Sequence, residues 1–182
     1  NPKELGYNNR FRQYIIPDIT VVTSVTNGRM QVDYPVEQVA EEMIALATYA
    51  GLAIINRDDV EGRFAGFLTN PNITTYGTTL VAEYYFDQHD FSLVDGYRGN
   101  IMSPENIDGV EATIHLLGEH NMRPAIAAAA VGYKLGVTEH NIVAGVASLH
   151  SLPGRMNVLE GADKTWLIDD SYSSTPATAL SA

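Results

Sequence analysis

Residues 19–25 (ITVVTSV) are a β-branched run that reads as a strand buried on both faces, and the segment after it restricts how such a strand can be covered. From Val36 the apolar positions Val36, Val39, Ala40, Met43, Ile44 and Ala47 recur at helical spacing. Asp33 is placed to cap that helix, Pro35 suits its first turn, and Gly51 marks its end. A second short apolar run, LAII, fills 52–55. Strand, helix and strand joined by short links make a βαβ unit, so the two strands are expected to run parallel.

The middle of the chain has a different grammar. From 62 to 109 turn residues are frequent, and segments such as TTLVAEYYF and FSLVDGYRG alternate in the manner of antiparallel strands and hairpins. Asp87, His89 and Asp90 (DQHD) read as a polar hairpin turn, and Tyr84-Tyr85-Phe86 as strand packing. Helices return at 122–135, opened by Pro124 and closed by Gly136, and at about 139–149, capped by Thr138. After Pro153-Gly154 the run TWLID (165–169) predicts a strand leading into the polar turn DSYSSTP. Too few residues follow to complete a crossover helix, so 154–182 is expected to open a second α/β domain after a first one over 1–153.

Composition narrows the function. The 182 residues are 45% apolar, enough for a real core. Eleven Lys+Arg against 22 Asp+Glu give a formal charge of −11, which argues against a nucleic-acid surface. No stretch has the roughly 20 apolar residues of a membrane span, and residues 1–30 lack a signal-peptide pattern. Cysteine is absent, so there is neither a disulfide framework nor a thiolate zinc site. Cytoplasm is the expected compartment, and small molecules or another protein segment are the expected partners. The oligomeric state is not legible.

Four ordered segments carry a family resemblance. ELG at 4–6 leads into IIPDITVVTSV; LAIINRDD spans 52–59; LLGEHNMRPAIAAAAVGYKLGV spans 116–137; and LPGRMNVLEG precedes LIDDSYSSTP. Together they resemble the Mur ligases, and the DDSY form is most similar to the branch that adds D-alanyl-D-alanine to a UDP-muramoyl tripeptide. The resemblance implies an α/β fold: part of a P-loop-NTPase-like central domain, with a parallel sheet, helices and an antiparallel β subdomain, then the start of a Rossmann-like C-terminal domain. It implies ATP and Mg²⁺ as cofactors, and an acyl phosphate that an amine attacks.

The same resemblance assigns roles residue by residue. Asp170 matches the acid that accepts hydrogen bonds from the ATP ribose. Arg155 matches the GR arginine, whose forked guanidinium suits phosphate oxygens. Asn121 matches the first asparagine of HNxxN, whose amide pairs with adenine; the second is replaced by Pro124. His120, beside it, is a candidate nucleotide contact or an ordering residue of the turn. Glu4 falls at a magnesium-associated glutamate. Arg29 falls where relatives place a magnesium-binding histidine, and Glu41 where they place a carbamylated lysine. Glu41 keeps a negative charge there as a catalytic and metal-ligand candidate, although Glu37, Glu41 and Glu42 also read as the solvated face of an amphipathic helix.

One element of the chemistry is missing from these 182 residues. The phosphate-cradling pattern GxxxxGK(S/T) does not occur, and the only lysines are Lys3, Lys134 and Lys164. Two readings follow. The chain is a segment of an ATP-dependent ligase of peptidoglycan precursors, acting on nucleotide and UDP-muramoyl peptide with its phosphate loop upstream; or it is a degenerate, non-catalytic binding or scaffolding module.

Overall fold

The computed structural model describes residues 5–25, 34–59 and 69–172, within two compact units, Asn1–Glu83 and Tyr84–Ala182. The first unit is the expected βαβ arrangement with one more strand. β1 (Ile19–Val22), α2 (Val36–Tyr49) and β2 (Leu52–Asn56) follow a short α1 (Tyr7–Phe11), and β3 (Ile73–Tyr76) completes a parallel sheet of order β1-β2-β3. Ile19 pairs with Leu52 and Val22 with Ile55; Ala53 pairs with Ile73 and Asn56 with Tyr76. The predicted helical face is the one that buries: Ala40, Ile44 and Ala47 pack on Val22, Ala53 and Ile55.

Several expectations are corrected here. β1 is shorter than 19–25 and is not buried on both faces, since it lies at the margin of the described sheet with Val21 36% exposed. Ile73–Tyr76 runs parallel to β2 rather than belonging to an antiparallel middle region. α2 does end just before Gly51, as expected. The chain leaves the helix through extended Ala50, and the buried Asn70 side chain donates to the carbonyls of Ala47 and Ala50 at 2.8 and 2.7 Å. A side-chain amide thereby satisfies the orphan carbonyls that a helix end exposes. Asp33 lies outside the described residues, and Pro35 occupies the N-cap position with extended backbone.

Glu42 is the largest departure. It is 3% exposed, not solvated. Its carboxylate accepts the backbone N–H groups of Gly6 and Asn8, while the Asn8 side chain donates to its carbonyl at 2.8 Å. The acid thus caps the first turn of α1 from another helix, meeting N–H groups that have no intrahelical partner. Glu41, one residue earlier, is exposed.

The second unit is antiparallel. β4 (Tyr85–Ser92), β5 (Gly96–Ser103) and β6 (Asn106–Ile114) form a meander, with Ser92 opposite Gly96 and Tyr97 opposite Ile114. DQHD is not a turn. It lies within β4, where the register shifts between Gln88 and Asp90 around a β-bulge, and the hairpin turn is 93–95. Segment 78–83 is turn and bend, not strand.

α3 (Glu119–Lys134) starts three residues before the expected position because Gly118, at φ +84°, turns the chain there. Pro124 therefore sits inside the helix, where it has no N–H to offer the carbonyl four residues back. α4 (Glu139–Ala147) is capped by the Thr138 hydroxyl as expected, accepting from the Asn141 amide at 3.4 Å, and ends two residues early. β7 (Asn157–Glu160) and β8 (Trp166–Asp169) pair antiparallel, with Asn157 opposite Asp169. TWLID is thus a strand, as predicted, but its partner is the adjacent one.

Tyr84, Glu105 and Lys134 tie the meander to the end of α3. The Tyr84 hydroxyl donates to the Glu105 carboxylate at 2.6 and 2.7 Å, and Lys134 Nζ reaches the same group at 3.0 Å. Burial pushes the Glu105 carboxyl up, but the hydrogen bonds from Tyr84 and Lys134 outweigh it and leave its pKa below the usual 4.5. A depressed carboxylate contributes stability above its unfolded pKa and loses it as pH falls through the folded one. Glu105→Ala is expected to destabilise by about 1 kcal/mol near pH 7, the half-exposed carboxylate being partly screened, with the charge-dependent part lost as pH falls through its lowered folded pKa. Urea unfolding of both proteins near neutral and at acid pH measures this.

Candidate functional site

The pairing of β7 with β8 brings two of the sequence candidates to one place. Asp170 follows β8 directly, and its Oδ1 accepts the Met156 backbone N–H at 3.2 Å. Arg155 precedes Met156, and its guanidinium lies 4.5 Å from the centre of the Tyr172 ring. The Tyr172 amide donates to the Gly154 carbonyl at 3.0 Å. Gly154 has φ +73°, and a Cβ there would come within 2.9 Å of the Tyr172 nitrogen, so the close approach requires glycine. Met156 is also left-handed, at φ 50°, a conformation uncommon for a side-chain-bearing residue and here braced by Asp170.

Asp169 faces the same turn in a supporting role. The Ser171 hydroxyl and amide hold its carboxyl below the usual carboxylate value. The Ser171 N–H···Oδ1 distance is 3.1 Å, an Asx-type turn that fixes the chain as it leaves β8.

Asn121 and His120 occupy the first turn of α3. The Asn121 Nδ2 donates to the Leu117 carbonyl at 2.7 Å, which spends one amide hydrogen. Its oxygen and second hydrogen are not used by the described hydrogen bonds, so a donor–acceptor pair persists. The His120 ring packs over Gly118, whose Cβ, if present, would lie 2.6 Å from it.

A cavity of about 310 Å³ is lined by hydrogen-bond partners of Asn121 and Asp170 and not by Asn121, Arg155 or Asp170 themselves. It is bounded by Leu117, whose carbonyl holds Asn121, and by Met156, whose amide holds Asp170. His115 and His150 also line it, with ring centroids 6.3 Å apart. Nothing in the sequence marked these two histidines, which stand 35 residues apart and fit no ligand spacing; only the fold pairs them.

The metal candidates belong to the first unit. Glu41 lines a separate cavity of about 350 Å³ with Leu5, Gly6, Asn9, Gln38 and Glu42. Among the described residues no group of three or more His, Asp or Glu side chains is placed to hold a metal ion, so Glu41 stands there as a single exposed carboxylate. Glu42 contributes less, because both its oxygens accept backbone N–H groups. Glu4 and Arg29 lie outside the described residues. Among those described, no helix is long and apolar enough to cross a membrane.

Comparison with known proteins agrees with this architecture. The family model for the Mur ligase middle domain matches residues 3–132. The UDP-N-acetylmuramoyl-tripeptide–D-alanyl-D-alanine ligase of Escherichia coli (strain K12) is 37% identical over 73 residues, 40% of this chain and 16% of that protein. Its Bacillus subtilis (strain 168) namesake is 26% identical over 169 residues, covering 91% and 35%. The structure of UDP-N-acetylmuramoylalanyl-D-glutamyl-2,6-diaminopimelate–D-alanyl-D-alanyl ligase from Acinetobacter baumannii shares the fold. Its TM-score is 0.80 at 16% identity, over 99% of this chain and 39% of that one. The chain thus spans well under half the length of these relatives. With the family model matched over most of its length, and with the βαβ unit, antiparallel meander and Gly-Arg turn in place, the chain belongs to the Mur ligase family.

Proposed function

We propose that this chain is the nucleotide-holding part of an ATP-dependent, ADP-forming amide ligase of peptidoglycan precursor synthesis. The whole protein would add an amino acid or D-alanyl-D-alanine to a UDP-muramoyl peptide, in the cytoplasm, through an acyl phosphate. Residues 1–153 would form the central domain and 154–182 the start of the C-terminal one. The observation that carries the reading is the Asp170–Met156 hydrogen bond. It fixes a carboxylate against the residue that follows Arg155, so two of the residues that the family resemblance assigns to the nucleotide stand at one turn.

In this reading Asp170 accepts from the ribose hydroxyls through the oxygen that Met156 leaves unused. Arg155, steadied on the Tyr172 ring, meets phosphate oxygens. Asn121 pairs with the adenine edge through its remaining oxygen and hydrogen. Glu41 would hold Mg²⁺, whose charge offsets that developing on the phosphates. Pro124 favours the alternative, a non-catalytic binding module, because it stands exposed on α3 where the family motif has an amide.

The phosphate-cradling pattern GxxxxGK(S/T) does not occur in these 182 residues. They are therefore expected neither to hydrolyse ATP nor to form an amide by themselves. Magnesium-dependent ATP turnover by the purified chain, abolished by Asp170→Ala or Arg155→Ala, is the result that would overturn this. The ligase reading predicts that Asp170→Ala removes whatever adenosine binding the chain has; the scaffold reading predicts that the substitution changes nothing.

A further inference from the structure

The histidine pair of the second unit has no part in the nucleotide reading, and its chemistry is more specific than its exposure suggests. His115 Nδ1 lies 2.8 Å from the Asp95 carbonyl oxygen. A carbonyl only accepts, so Nδ1 carries the proton, and in the neutral ring the lone pair is on Nε2. That is the arrangement a metal-binding histidine adopts: one nitrogen donates to a backbone carbonyl, which fixes the tautomer and raises the basicity of the other.

We infer that His115 and His150 together bind one divalent transition-metal ion of the zinc, nickel or copper type. Both imidazoles line the same cavity, and no carboxylate lines it among the described residues. Nitrogen donors without carboxylates suit these ions and not Mg²⁺ or Ca²⁺. An ion bonded to two rings at about 2.0–2.1 Å lies roughly 3.2 Å from each ring centre, which puts the two centres about 5 Å apart at a tetrahedral angle and about 6.4 Å apart in a straight line. The separation here is 6.3 Å, at the open end of that span. Closing it to a tetrahedral angle takes a movement of about 1 Å, which the exposed His150, in the loop after α4, can supply by side-chain rotation. No third His, Asp or Glu completes a cluster. Water and the oxygens of Ser151 and Asn157, which line the same cavity, fill the remaining positions. The ion ties the end of β6 to the segment between α4 and β7, the segment that carries Arg155.

The test is an amide NMR titration of the 182-residue chain with Zn²⁺, run beside one with Mg²⁺. Zn²⁺ is expected to give saturable shifts gathered at 115, 150, 151 and 157, and Mg²⁺ to leave those residues unmoved. His115→Ala and His150→Ala are each expected to weaken Zn²⁺ binding at least about tenfold. His89→Ala and His140→Ala, which remove histidines outside the cavity, should leave it unchanged. Each variant is compared with itself with and without Zn²⁺, so a loss of basal stability cancels. Zn²⁺ shifts that survive in both His115→Ala and His150→Ala, or that gather at carboxylates and are shared with Mg²⁺, overturn the site. So does a wild type in which 115 and 150 do not respond to Zn²⁺.

Discussion

Glu42→Ala is expected to lower the stability of the chain by about 3 kcal/mol, while Glu41→Ala, one residue away, changes it by less than about 0.5 kcal/mol. Both are acids on α2 and look equivalent in the sequence. Glu42 is buried and accepts two backbone N–H groups from the first turn of α1; Glu41 is exposed and has no such duty. A hydrogen bond to a charged group contributes roughly 1.5–3 kcal/mol, and removing this carboxylate deletes two. Glu42→Gln should fall between, because an amide has one acceptor oxygen for two donors. For a chain of this size the alanine substitution corresponds to a fall in Tm of roughly 6–12 °C. Hydrogen exchange at the Gly6 and Asn8 amides would rise in step. The contrast bears on function because Glu41 is the metal candidate: it can be removed to test cation binding without disturbing the fold, and Glu42 cannot.

Gly96→Ala is expected to be at least as damaging, on the order of 3–4 kcal/mol. Gly96 opens β5 at φ +83°, which costs a side-chain-bearing residue roughly 1–2 kcal/mol. The added Cβ would also lie 2.1 Å from the Ile114 carbonyl oxygen, a rigid backbone atom across the β5–β6 ladder. Relief requires the strands to part, which adds the cost of lost pairing. Gly96 also ends the turn that carries Leu93, Val94 and Asp95. The substitution should therefore disorder the wall of the histidine cavity and free His115 from the Asp95 carbonyl. Equilibrium denaturation measures the first effect. The second appears as changed amide resonances at 93–95 and 115. Gly136, also left-handed but with nothing within 4 Å of an added Cβ, should lose only the conformational cost when replaced.

The elements that were legible in the sequence are those whose causes are local. The β-branched run at 19–22, the helical spacing from Val36 and the Thr138 cap each carry their reason within a few residues. The failures share a cause of the opposite kind. Glu42 is buried because a segment 34 residues earlier presents two amides to it. The end of α2 near Gly51 was legible, but the group that caps its last carbonyls, Asn70, lies 20 residues later. Neither signal exists in a window around the residue concerned. Pro124 misled because proline is common at a helix start, whereas here Gly118 had already turned the chain.

The candidate site divides the same way. Asp170, Arg155 and Asn121 were accessible through family resemblance, which reads positions rather than contacts. Asp170 and Arg155 are brought to one turn by bonds between residues distant in sequence, Met156 to Asp170 and Tyr172 to Gly154, whereas Asn121 is held locally by Leu117 across one helical turn. The pairing of His115 with His150 carries no sequence signal, since it depends on β6 and the end of α4 meeting the same cavity.

The most direct measurement is an amide NMR titration of the 182-residue chain with adenosine, and with ATP in the presence and absence of Mg²⁺. Holding a base and a sugar without embracing the phosphates should give millimolar affinity, about −4 kcal/mol. It should be similar for both ligands and indifferent to Mg²⁺, with shifts gathered at Asn121, Arg155 and Asp170. Micromolar, magnesium-dependent ATP binding, or saturable shifts elsewhere with those three residues silent, would contradict the account.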